Sequence, residues 1–248
     1  YDDKNITGYK FDKVEPLNAD GELELTITEK EEDNVINVYY ARDEFKYTVH
    51  YFYDNVEDTT KVEEDTALFN EKITIYEDKN IPGYKLDKVE PLNADDELEL
   101  TITEKEEDNV INVYYVKDTF KYTVHYFYDE VENVNAKIEN TATFGDKITT
   151  YEDKVETGYK FDKVEPLNGD GELELTITEK EANNVINVYY IRDEFKYTVH
   201  YFYDNVEDTT KVEEDTALFN EKITTYEDKN ITGYKLDKVE PLNGDNEL

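Results

Sequence analysis

The feature that most constrains this chain is its period. The segment FKYTVHYFY begins at Phe45, Phe120 and Phe195, and VEPLN begins at Val14, Val89, Val164 and Val239, so the spacing is a gapless 75 residues throughout. A chain built this way buries its apolar surface repeat by repeat and is read as an array. With a boundary placed before each repeated phenylalanine, residues 1–44 are the C-terminal part of a module, 45–119 and 120–194 are whole modules, and 195–248 are the N-terminal part of another. Segments 45–98 and 195–248 differ only at Ile75/Thr225, Pro82/Thr232, Ala94/Gly244 and Asp96/Asn246.

Each module carries its own acidity. Module 45–119 has 8 lysines against 20 acids, a net charge of -12, within a chain of formal charge -36. A surface of that sign repels phosphate, which argues against nucleic acid as a partner and against an anionic membrane surface. The chain has no Cys and no Ser, which removes disulfides, thiolate ligands and the two commonest protein nucleophiles. Its three histidines, His50, His125 and His200, fall once per module at one repeat position, and no catalytic triad can be assembled from them. No apolar run reaches transmembrane length. These points predict a chain that is not an enzyme, needs no cofactor or metal, and does not insert into a membrane.

Within a module the dominant signal is alternation. Phe45, Tyr47, Val49, Tyr51 and Tyr53 alternate with Lys46, Thr48 and His50, the pattern of a half-buried strand. ELELTIT places Leu98, Leu100 and Ile102 on one face, and NVINVYY supplies a strand over Asn109 to Tyr115. KITIYED and GYKLDKVEPL read as shorter extended pieces. Gly83-Tyr84 reads as a turn entering a strand, and the Asn-Ala/Gly-Asp segments after EPL read as turns. No stretch has helical periodicity, although Val62 to Asn70 is expected to hold one short helical turn. The aromatic residues supply the buried area that a domain this small needs. Only Lys117-Asp118-Thr119 separates the last strand of one module from the first of the next. A near-continuous pair of strands at ~3.3 Å per residue then advances the chain ~30–40 Å per module, which predicts a rod.

The order YTVHYFYD, a mid-module turn before KIT-YED, a central GYKLDKVEPLN and a closing NVINVYY resembles the MucBP (mucin-binding protein) repeats of Gram-positive surface adhesins. The resemblance covers every module. The mid-module glycine usual in that family stands only at Gly145, with Asn70 and Asn220 in its place elsewhere, and the hairpin tip after Asp54 lacks the expected Asp-Gly. The resemblance implies a mainly β, β-grasp or ubiquitin-like module whose first and last strands pair, displayed outside the cell on the wall and in some relatives contacting host mucin or glycans. Residues 1–44 would then lack an opening strand and 195–248 a closing one, as in a window onto a longer array.

On that reading the closing strand brings an aromatic and an amide beside each histidine. These residues read first as packing under a loop or against a neighbouring module; the alternative is a sugar platform comprising His50, Phe52, Tyr39, His125, Phe127, Tyr114, His200, Phe202 and Tyr189, with Asn37 and its repeats. Asn168-Gly169-Asp170-Gly171-Glu172 carries oxygen side chains at alternate positions, as a calcium loop does, but lacks the full ligand series and reads first as an ordinary turn. Lysine and asparagine in every module permit an isopeptide crosslink, and no spacing singles out a pair. Two functions follow: an adhesin whose modules bind mucin or glycan weakly and gain avidity from number, or a structural stalk or filament whose only partners are neighbouring modules.

Overall fold

The computed structural model describes residues 4–79 and 81–241. The chain falls into two compact units, Tyr1–Thr119 and Phe120–Leu248. It is mainly β, arranged as several small sheets, and the only helical elements among the described residues are three-residue 3-10 turns such as Glu106–Asp108.

Each unit is organised by one five-stranded sheet. In the first, the opening strand Glu44–Tyr53 lies at the centre and pairs in parallel with the closing strand Val110–Lys117, with Thr48 opposite Val110 and Tyr53 opposite Tyr115. The strand Tyr84–Glu90 runs antiparallel along the far side of the closing strand. On the other side of the opening strand lie Val56–Glu57 and Glu63–Leu68. The second unit repeats the arrangement with Thr119–Tyr128, Val185–Arg192, Tyr159–Glu165, Val131–Glu132 and Ile138–Thr143. Alternation decides which side chains face inward. Val49 and Tyr51 from the opening strand meet Ile111, Val113 and Tyr115 from the closing strand, and all five are buried. That face is covered by an extended segment carrying Leu98, Leu100 and Ile102, which is also buried. Lys72–Ile73 pairs with Leu100–Thr101 and holds this cover in place.

Segment Val62–Asn70, expected to hold a helical turn, forms the strand Glu63–Leu68 instead. Its backbone groups pair with Glu44–Val49 along the whole length of that segment, and pairing with an existing strand outweighs weak local helix preference. Gly83 takes φ +83° before the strand at Tyr84, as a turn glycine does. The turns after EPL are Asx turns: Asn93 Oδ1 accepts the amides of Asp95 at 2.9 Å and Glu97 at 3.0 Å. The last copy of this turn, with Gly244 and Asn246, lies outside the described residues. The hairpin tip after the opening strand takes left-handed backbone without glycine, at Asp54 (φ 50°) and Asn55 (φ 64°), and at Asp129 (φ 48°) and Glu130 (φ 64°) in the next copy.

Two buried asparagines bolt the closing strand to its surroundings. Asn109 is fully buried; its Oδ1 accepts from the Thr103 amide at 2.9 Å, and its Nδ2 donates to the carbonyls of Lys46 at 3.1 Å and Thr103 at 2.9 Å. Asn184 does the same with Thr178 and Lys121.

A single residue links adjacent modules within each unit. The strand Asn37–Arg42 ends one residue before Glu44, and the intervening Asp43 donates its amide to Gly8 O at 2.9 Å and accepts from the Phe69 amide at 2.8 Å. Phe69 sits on Gly8 so closely that a Cβ there would lie 2.2 Å from its ring, and Phe219 leaves 2.3 Å at Gly158. Only glycine fits beneath these rings.

Replacing Asn109 by Ala should lower the stability of the cooperative unit containing it by roughly 2–4 kcal/mol, because buried backbone groups lose their partners. Urea unfolding followed by circular dichroism checks this; a change below about 0.5 kcal/mol would show that Asn109 is not a bolt.

Candidate ligand-binding face

The outer face of the sheet carries the residues that the alternating pattern left over. Parallel register sets His50 opposite Asn112 and Phe52 opposite Tyr114. Phe52 and Tyr114 stack with centroids 4.8 Å apart and planes at 17°, and Phe127 and Tyr189 repeat the same values. Lys88 Nζ lies 4.5 Å from the centre of the Tyr114 ring and 2.9 Å from Glu90, and Lys163 lies 4.6 Å from the Tyr189 ring. The hydrogen bond to Glu90 raises the Lys88 ammonium above its usual range and holds the cation over the ring. At the other end of each cluster, His50 Nδ1 is 2.5 Å from Glu57 and His125 Nδ1 is 2.5 Å from Glu132.

Two clusters are thus complete, one of His50, Phe52 and Tyr114 and one of His125, Phe127 and Tyr189. The remaining residues of the expected platform stay apart. Tyr39 is 40% exposed, with Lys13 4.7 Å from its ring, and no histidine stands beside it in register. His200 pairs with Glu207 at 2.6 Å, but Phe202 is 59% exposed and stacks on no tyrosine among the described residues. The physical difference is the neighbouring strand: Tyr39 lies on a closing strand with no opening strand beside it among the described residues, and Phe202 is in the reverse position. In the complete clusters one face of the tyrosine is taken by phenylalanine and the other by lysine. What remains for a ligand is the free side of Phe52 or Phe127, with His, Asn and Glu around it.

The turn at Asn168 does not present its oxygen to a cation. Asn168 Oδ1 accepts from the amides of Asp170 and Glu172, both at 3.0 Å, and no group of three metal-ligating side chains occurs among the described residues.

Beneath the sheet lies a tyrosine network that alternation alone does not reveal. The Tyr51 hydroxyl lies 2.8 Å from the Glu77 carbonyl and 3.0 Å from Glu63, two acceptors within reach of its one proton, and Lys79 bridges Glu63 and Glu77. Tyr115 donates to Asp78 at 2.6 Å and accepts from the Lys79 amide at 3.1 Å. Burial first, and then the adjacent carboxylates, raise the phenol pKa values of Tyr51 and Tyr115; burial pushes Tyr126 up to about 12.

Comparison with protein-family models and with curated proteins finds no match. No helix among the described residues is long and apolar enough to cross a membrane.

The tyrosines predict an alkaline limit. Their folded-state pKa values lie above the unfolded value of about 10, so the stability they contribute is present below about pH 10 and is lost as pH rises through the folded values. The urea midpoint should hold steady from about pH 7 to 9 and fall between about pH 10 and 12. A midpoint unchanged at pH 12 would contradict the buried phenol network.

Proposed function

We propose that this chain is the repeat region of an extracellular protein displayed on the wall of a Gram-positive bacterium, in which β-grasp-like modules bind mucin or another glycan weakly and many copies supply avidity. The observation that carries this reading is the aromatic pair on the outer face, found with the same geometry in both complete modules. A sugar ring sets its C–H face on an aromatic ring while its hydroxyls bond to amides and carboxylates, and Phe52 with Asn112, His50 and Glu57 offers that combination. A shallow face of this kind gives low affinity per module, and repetition in a linked array raises the overall affinity.

The stalk reading is supported by the strand directions. The opening and closing strands are parallel, so tension applied through the two ends of a module draws them in opposite directions along their own axes. The hydrogen bonds between them are then loaded together rather than one after another. A string of such modules fits a tether that presents binding faces at a distance from the wall.

Retention on an immobilised glycan panel tests the proposal. The 248-residue chain should be retained, and the double variant Phe52→Ala, Phe127→Ala should lose at least about tenfold in apparent affinity while keeping its far-UV spectrum. A chain retained on no glycan would overturn glycan binding and leave the stalk alone, and a double variant retained as well as the parent would show that Phe52 and Phe127 are not the binding face.

A further inference from the structure

The two complete modules differ most in one place, the segment after the opening hairpin. Residues 54–65 read DNVEDTTKVEED, and the equivalent residues 129–140 read DEVENVNAKIEN. In the first module Tyr53 stacks on Tyr115 at 5.2 Å, and Lys61 Nζ lies 4.5 Å from the Tyr53 ring centre. Asp58 holds that ammonium at 2.8 Å. The copy in 195–241 repeats this: Lys211 lies 4.6 Å from the Tyr203 ring and 3.2 Å from Asp208. The chain thus builds the same small cage twice, an aromatic face and a carboxylate closed on a lysine of its own.

In module 120–194 the lysine is gone. Tyr128 stacks on Tyr190 at 5.1 Å as its equivalents do, but Ala136 stands at the position of Lys61 and Asn133 at that of Asp58. The position of Ile81 is taken by Glu156, which brings a carboxylate back from a different strand connection; Asn133 Nδ2 donates to it at 3.3 Å. No ion pair to Glu156 is present among the described residues, whereas Glu132 is paired with His125 and Asp129 with Arg192. An open groove of about 540 Å³ results, lined by Tyr128, Tyr159, Val131, Val134, Asn133 and Glu156 among others. Val134 replaces Thr59 and is 68% exposed, so the groove also offers an apolar wall. Burial and Glu156 push the Tyr128 phenol up to about 12, and its ring face is the cation acceptor.

We propose that this groove binds the alkylammonium group of a lysine side chain on a partner polypeptide, in the place that Lys61 and Lys211 occupy in the other copies. The ring accepts the ammonium, Glu156 compensates its charge, and Val134 receives the methylene stem. The partner is a basic segment rather than a second copy of this chain, because two chains of charge -36 repel one another. The groove uses a different ring from the glycan face, since Tyr128 and Phe127 are successive residues on one strand and point to opposite sides of the sheet, although Glu132, the partner of His125, borders both.

The test uses the full 248-residue chain and Nα-acetyl-lysine methylamide as the probe, followed by amide chemical-shift changes. Saturable shifts on the order of millimolar are expected at Tyr128, Asn133, Asn135 and Glu156. The variant Asn133→Asp, Ala136→Lys restores the self-closed cage with no change in net charge and uses residues the sister copies already fold with. It should weaken binding at least about tenfold, and the Nε-acetylated probe should not bind the parent chain. Shifts that do not saturate, that spread over the acidic surface of every module, or that persist unchanged in the double variant or with the Nε-acetylated probe would overturn the proposal.

Discussion

Everything in a module depends on the parallel pairing of its first and last strands. The chain contains its own control for this statement, because FKYTVHYFYD occurs three times and, among the described residues, has a closing strand beside it twice. Where Val110–Lys117 pairs with it, the segment is one continuous strand, Glu44–Tyr53, with Val49 4% and Tyr51 0% exposed. Where no such partner is present, the same sequence is broken into Glu194–Val199 and Phe202–Tyr203, and Val199 and Tyr201 are only partly buried. The complementary half behaves alike: Ile27 is 71% exposed, whereas Ile102, at the same repeat position, is 0% exposed. Apolar surface of this amount is covered only when a strand from one end of the module reaches the strand from the other, which is the non-local closure such a sheet requires.

That pairing also makes the two surfaces of the sheet chemically different. Inward residues meet as Val, Ile and Tyr and form the core, and the same register brings Phe52 over Tyr114 on the outside. The outer aromatic cluster repeats without change of residue type in both complete modules, while the hairpin segment at Asn55–Asp65 and Glu130–Asn140 varies. A single-residue link between strands then leaves little freedom where Phe69 seats on Gly8 and Phe219 on Gly158. Adding a methyl group to either glycine would require a ring to move, so the tandem arrangement is written into side-chain shape as well as into the period.

Much of the β architecture was legible because alternation of large aromatic and branched residues has few interpretations. Val49, Tyr51, Leu98, Leu100, Ile102, Ile111 and Val113 all lie inside, as their spacing required. The strand Glu63–Leu68 was not legible, since VEEDTALFN has no clear period and its conformation is imposed by the neighbouring strand. Asn109 and Asn184 were read as the start of a strand; nothing local marks an amide whose partners Lys46 and Lys121 lie 63 residues away. The outer face was partly legible. The residue types were found, but which tyrosine meets which phenylalanine depends on register, and it is Tyr114, not Tyr39, that stands opposite Phe52. The cage of Tyr53, Lys61 and Asp58 depends on the path of a hairpin loop and left no signal beyond the substitution pattern between copies.

The most direct measurement of the strand-pairing account is hydrogen exchange of the intact chain analysed by peptic fragments, because the three copies of FKYTVHYFYD give one fragment mass with the same intrinsic exchange rates. Among the described residues, two copies are paired with a closing strand and one is not. The account predicts two isotopic populations for this fragment in a ratio of two protected to one exchanged, separated by at least about a hundredfold in rate. A single population, with all three copies equally protected or equally exposed, would contradict it.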